Sequence, residues 1–305
     1  IEEAHAYLRW ITARLRESGP RPLRVLYAAH GDPDLTERSL PHLRGFLNSR
    51  PVRIGNGAAT QFQLDIFGEL LDAAALLVRV DPEARAEVWP ELAPVAEIIE
   101  RRWAVPDRSI WEIRGARAHY VHSKVMAWVG LDRAAVLCRG SGDTDGARRW
   151  DHAAETIRRE VLSRGVDPHG GGFEQAFGNG RIDAANLRIP MVGFLPFDDP
   201  RIRATIERVE RELSHGPFVY RYRGDDGLDG PEGSFLPCGF WLVHGLARIG
   251  AKDRARERLE GLTAAAGPLG LFSEEYDPAA RIPLGNFPQA LTHVAYLRAR
   301  EALDG

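Results

Sequence analysis

The sequence predicts an all-α protein arranged as an α/α toroid, and three observations lead there. Helical periodicity dominates, with apolar residues recurring at helical spacing over about 2–18, 58–78, 83–102, 120–138, 147–164, 182–190, 199–214, 233–248, 252–265 and 286–303. These helices alternate in character. Those at 58–78, 120–138, 233–248 and 286–303 are apolar almost all round, which places them inside. Those at 83–102, 147–164, 199–214 and 252–265 carry one charged face, as in Glu207-Arg208-Val209-Glu210-Arg211-Glu212, which places them outside. The connectors alternate as well: short polar turns follow the inner helices, and long loops precede them at about 19–57, 103–119, 165–182, 215–232 and 266–285. Such an order brings every long loop to one face, where scaffolded loops build sites. An open α-solenoid is the alternative, but no fixed-length repeat marks one.

Each element has its local reason. In the first helix Tyr7, Leu8, Ile11 and Leu15 share one face, and Ile1 opens straight into that period. A start of this kind leads us to expect that the sequence begins inside a larger protein. Leu23-Arg24-Val25-Leu26-Tyr27 reads as a short strand suited to a small hairpin. Val80-Asp81-Pro82 and Gly250-Ala251-Lys252 are turns between an inner helix and the outer one after it. The stripe Val125, Trp128 and Leu131 is core, and Cys138 and Cys238 fall on inner helices as small buried apolar residues. Asp183 reads as a helix cap, although it and Asn186 could also reach a pocket rim.

Composition narrows the function classes. Over 305 residues, 40 Lys and Arg face 43 Asp and Glu, a net charge of -3, so the electrostatic footprint of a nucleic-acid binder is missing. Two cysteines are too few for a disulfide framework or a structural zinc site. The ten histidines form no H-E-x-x-H pair, so no metal and no cofactor are expected. No apolar run approaches the roughly 20 residues that cross a bilayer, which predicts a soluble chain without a membrane partner, and a cytoplasmic location is favoured.

The long loops hold carboxylates beside aromatic residues: Trp111-Glu112, Glu232, and Ser273-Glu274-Glu275-Tyr276-Asp277. Cleaving a glycosidic bond needs this mixture, because one carboxylic acid protonates the leaving oxygen, another activates water, and flat rings hold the sugar. Any one such glutamate taken alone could equally be solvated or cap a helix.

The order of motifs adds a resemblance. Arg50-Pro51-Val52-Arg53-Ile54-Gly55-Asn56 and Gln61-Phe62-Gln63-Leu64-Asp65 come first, then Ile110-Trp111-Glu112-Ile113-Arg114-Gly115. His122-Ser123-Lys124-Val125-Met126-Ala127-Trp128, Leu131-Asp132-Arg133, Arg221-Tyr222, Glu232-Gly233-Ser234-Phe235 and Phe240-Trp241-Leu242 follow. Ser273 to Asp277 and Gly285-Asn286-Phe287-Pro288-Gln289-Ala290 close the series. Running in order through nearly the whole chain, it resembles glycoside hydrolase family 15, in its bacterial glucoamylase and trehalase branch.

That resemblance implies an (α/α)6 toroid of the six-hairpin glycosidase type and hydrolysis of α-glucosidic bonds with inversion, releasing β-glucose. It places Glu112 as general acid and Glu274 as general base. Arg221 would hold the hydroxyls of the innermost sugar, with Tyr222 and Trp111 as aromatic neighbours and Arg50, Asn56 and Gln61 as further pocket candidates. Inversion needs room for a water, so the two carboxyls are expected roughly 6.5–9.5 Å apart. The implied partner is an α-glucoside: a malto-oligosaccharide, a starch fragment or trehalose. The leading expectation is an exo-acting hydrolase of the glucoamylase type, with trehalase activity as the alternative in the same family and a non-catalytic carbohydrate-binding toroid as the alternative of another class.

Departures from the pattern shape the expectation. Ile113 follows the acid where fungal members have a second carboxylate. The family's Trp-Pro-Arg-Asp type loop, which grips the terminal glucose, has no counterpart. About ten helices stand where the family barrel has twelve, so residues 1–305 are expected to be a single catalytic domain truncated at its N-terminus, with the first helical hairpin missing.

Other motifs have plainer readings. His122 and Lys124 begin an inner helix and could touch substrate or phosphate, or bind loop backbone there. His169-Gly170-Gly171-Gly172 lacks the G-x-S-x-G elbow an esterase would need and reads as a flexible turn. Gly55-Asn56-Gly57 and Gly178-Asn179-Gly180 lack the third glycine and preceding strand of a dinucleotide site.

Overall fold

A computed structural model of the chain describes residues 1–18, 23–31, 34–224 and 233–305, and its backbone divides into two compact units, Ile1–Arg158 and Arg159–Gly305. The first holds α1 (Glu2–Ser18), α2 (Asp65–Val80), α3 (Arg85–Arg102) and α4 (Val121–Gly140). α4 is apolar enough that every residue from Val121 to Leu131 is buried, so neighbours surround its first three turns. It packs on α2 and α3. Small residues permit the approach: a Cβ on Gly68 of α2 would collide with the Met126 carbonyl oxygen, and one on Gly130 with the Ile99 side chain of α3. α5 (Thr144–Arg164) crosses the boundary between the units and buries Ala147, Trp150, Ala154, Ile157 and Val161, one stripe at helical spacing.

The second unit is built round α7 (Leu236–Arg248), which packs on α6 (Pro200–Leu213), α8 (Lys252–Thr263) and α9 (Ala290–Asp304). α6 starts where the Asp199 side chain accepts from the Arg201 N–H at 2.9 Å with Pro200 at the first helical position. Two-residue strands β1 (Arg38–Ser39) and β2 (Arg53–Ile54) pair in the first unit. In the second, β3 (Ser214–His215) pairs with β4 (Phe218–Val219), and β5 (Ser234–Phe235), β6 (Glu275–Asp277) and β7 (Ile282–Leu284) form an antiparallel sheet ordered β5-β6-β7.

Several boundaries differ from the sequence expectation for reasons visible locally. The helix expected from 58 begins at Asp65, because the Asn56 side chain caps a separate 3-10 turn over Gly57–Thr60 and the chain then extends at Gln61. The segment 182–190 holds a 3-10 turn, Ala184–Arg188, capped by Asp183 as expected of that aspartate. Residues 234–235 are a strand, so α7 starts at Leu236 instead of 233. Leu23 to Tyr27 form no strand: the Arg24 N–H donates to the Tyr27 hydroxyl and the Tyr27 ring meets Trp10 of α1 edge-on at 5.7 Å. α9, expected inside, buries only Thr292, Ala295, Ala299 and Leu303, while Leu291, Val294 and Leu297 stay exposed. Among the described residues, no helix is long and apolar enough to cross a membrane.

Candidate active site

Glu112 sits in the connector between α3 and α4. That loop closes on itself where Asp107 and Ala118 exchange both backbone hydrogen bonds, at 3.0 and 3.2 Å. Inside it the Glu112 N–H donates to Ser109 O and the Ile113 N–H to Arg108 O, and the tight path puts Ser109 at φ 65° and Glu112 at φ 55°. Left-handed backbone is unfavourable for residues with a Cβ, by about 1–2 kcal/mol each, and clusters at functional sites. Trp111 and Ile113 are buried on either side, so the half-buried Glu112 side chain is the one the turn presents.

Two amides hold it. Asn56 Oδ1 accepts from the Ala58 N–H at 2.8 Å, which turns Nδ2 toward Glu112 Oε2 at 3.2 Å. Gln61 Oε1 accepts from Gln63, which turns its Nε2 toward the Glu112 carbonyl, also at 3.2 Å. One further clamp ties this loop to the β1–β2 region. Arg114 Nη1 and Nη2 meet Glu37 Oε1 and Oε2 at 3.4 and 2.8 Å, and the Gly57 N–H donates to the same carboxylate. Arg114 and that N–H hold the Glu37 carboxyl below the usual carboxylate range. Of the residues expected in this half, Trp111, Asn56 and Gln61 gather round Glu112. Arg50 is exposed and donates to Pro41 O at 3.3 Å instead.

Glu274 belongs to the second unit, one residue ahead of β6. Its backbone N–H donates to Asn286 O, and its carbonyl accepts from the Leu236 N–H at the start of α7. The β6–β7 register returns Asn286 to it, and the Asn286 backbone N–H and Nδ2 both donate to Glu274 Oε2, at 3.0 and 2.9 Å. Gly285 is required beside them: its φ is 69°, and a Cβ there would lie 2.7 Å from that same oxygen. Next along the strand, Glu275 pairs with Arg221, Nη2 to Oε1, at 3.9 Å. The Arg221 guanidinium carbon lies 5.7 Å from the centre of the buried Tyr222 ring and 5.8 Å from that of Phe235. Backbone pairing of Tyr222 with Asp183 fixes both residues, with the Ala184 N–H on Arg221 O at 2.8 Å. Arg221, Tyr222, Phe235 and Glu275 thus form one cluster at the sheet edge, next in sequence to Glu274. Glu232 lies outside the described residues.

Some expectations resolve toward structure. Lys124 is buried and donates to Trp103 O and Val105 O at 2.5 and 2.7 Å, the loop-backbone role. Cys138 and Cys238 are buried. Sequence reasoning missed the clamps: Glu37 with Arg114, Asp107 behind the loop, and Asn286 on Glu274. Only the hairpin register and the loop closure reveal these, since the partners stand twelve or more residues apart.

The helical fold is shared with solved glycosidases. A solved structure titled "Glycosidase Wild Type" superposes with a TM-score of 0.70 at 20% identity, covering 84% of this chain and 72% of that one. A bacterial glucoamylase complexed with acarbose follows at 0.66 and 16% identity, covering 82% and 42%. This likeness bears out the all-α, α/α-toroid class. The profile of glycosyl hydrolases family 15 matches residues 1–301, and the chain belongs to that family. A trehalase of Mycolicibacterium smegmatis is 45% identical over 281 residues, which are 91% of this chain and 42% of the relative, so the chain spans less than half of that protein.

Proposed function

We propose that the chain carries the catalytic groups of an inverting, exo-acting hydrolase of α-glucosidic bonds. The observation that supports this best is a shared design: each candidate glutamate has its Oε2 tethered by an asparagine, Asn56 at Glu112 and Asn286 at Glu274. A tether on one oxygen fixes the carboxyl plane and reserves Oε1 for the reaction. Glu112 then donates a proton to the glycosidic oxygen as its bond to the anomeric carbon breaks. Glu274 takes a proton from a water that attacks that carbon from the opposite face, so an α-linkage yields β-glucose. Arg221 supplies guanidinium donors to sugar hydroxyls, and Tyr222 and Trp111 give the ring apolar faces.

Trehalose is the substrate we favour, on the strength of the 45% identical relative named a trehalase. Malto-oligosaccharide cleavage of the glucoamylase type is the second reading, and its support, the acarbose-bound neighbour, speaks for fold. Incubation with trehalose, maltose and starch separates them, followed by proton NMR before mutarotation. Inversion on trehalose gives α- and β-glucose in equal amounts, whereas two α-glucose molecules would contradict the mechanism. Glu112→Gln and Glu274→Gln should each lower turnover by about 10²-fold or more while sugar binding persists. Unchanged turnover would put the activity at another site, and no turnover in the unaltered protein would leave a carbohydrate-binding role.

A further inference from the structure

We propose that Asp107, which cannot touch substrate, is a positioning residue that sets the Glu112 carboxyl by locking two chain segments together at the base of the acid loop. Asp107 is fully buried, and its backbone pairs with Ala118 to close the loop. Its Oδ2 accepts from the Leu64 N–H at 3.0 Å, across 43 residues of chain. Leu64 ends the segment whose Asn56 and Gln61 reach Glu112, so one carboxylate fixes both the residue presented and the amides that hold it. The neighbouring Arg108 N–H on Phe62 O, at 3.2 Å, doubles the tie.

The electrostatics argue that stability is not the reason for this arrangement. Lys124, also buried, acts on Asp107 as its cation, yet burial pushes the Lys124 ammonium down to about 8 and pushes the Asp107 carboxyl up. Each group is therefore less favourable as an ion here than in water, and buried charges of this kind are weak evidence for stability. A defined geometry is what the Asp107 ties to Leu64 and Ala118 supply. A displacement of about 1 Å in a catalytic group can slow a reaction by about 10²-fold, so the lock has consequence.

The inference rests on Glu112 being the acid, and the test separates the two. Asp107→Asn and Asp107→Ala are compared with Glu112→Gln on the faster of trehalose and maltose, and on α-glucosyl fluoride, whose leaving group needs little protonation. Misplacing the acid predicts a loss of about 10²-fold on the disaccharide but less than about tenfold on the fluoride, larger for Ala than for Asn. If the Ala variant does not fold, the Asn variant decides. Equal losses on both substrates, or none, in a folded Asn variant overturn the positioning role. A Glu112→Gln variant without the selective loss overturns the acid assignment. A crystal structure of Asp107→Asn gives a readout free of activity. Glu112 should lose its Asn56 contact, and an unmoved carboxyl overturns the proposal.

Discussion

Gly285 carries more of the site than its size suggests. Its left-handed backbone and the 2.7 Å gap to Glu274 Oε2 leave no place for a methyl group. Gly285→Ala should therefore cost about 1–2 kcal/mol through the backbone alone, and it should push Glu274 off Asn286. Urea unfolding and turnover together check this: a stable variant with unaltered turnover would show that the close approach is dispensable. At this scale much was legible in the sequence. Glu112, Asn56 and Gln61 stand in motifs, and the structure does gather them. Asn286 also stands in a motif, but its role depends on a hairpin register that no spacing reveals. Arg50 shows the reverse, a motif residue whose contact is with Pro41 O.

Elements hold these residues because helices meet closely. α2 and α4 approach at Gly68, where the obstacle to a side chain is the backbone oxygen of Met126 and cannot swing aside. Gly68→Ala should destabilise by about 1–3 kcal/mol, as overpacking does. A shift of less than about 0.5 kcal/mol in urea unfolding, the range of an ordinary surface change, would mean the helices part without penalty. Helical period located the long helices well but not their starts. The Asn56 and Asp183 caps nucleate 3-10 turns where the period reads as continuous helix. Leu23 to Tyr27 has strand-forming residues, yet its apolar groups find α1 first. The exposed row Leu291, Val294 and Leu297 on α9 reads in the sequence as interior, because period reports apolarity and not what covers it.

For the whole molecule, stability should depend on pH through Lys124. In the unfolded chain this lysine titrates at its ordinary 10.5, and in the fold at about 8. Between those values the unfolded state binds more protons, so this group makes stability rise with pH from about 8 to 10.5 and contributes least below 8. Thermal unfolding of the wild type should gain relative to Lys124→Met across that window, and parallel curves would contradict the burial of a charged amine. The alternation of buried and striped helices was the sequence feature that foretold the fold, because it reflects which faces each helix must cover. The proposed pairing of the Glu112 and Glu274 carboxyls has no such local signature, since the two residues stand in different compact units. A crystal structure of this protein that resolves both side chains is the decisive measurement. The proposed inverting mechanism requires the carboxyls to face one cavity roughly 6.5–9.5 Å apart, and a separation near 5 Å or side chains opening into separate crevices would rule it out.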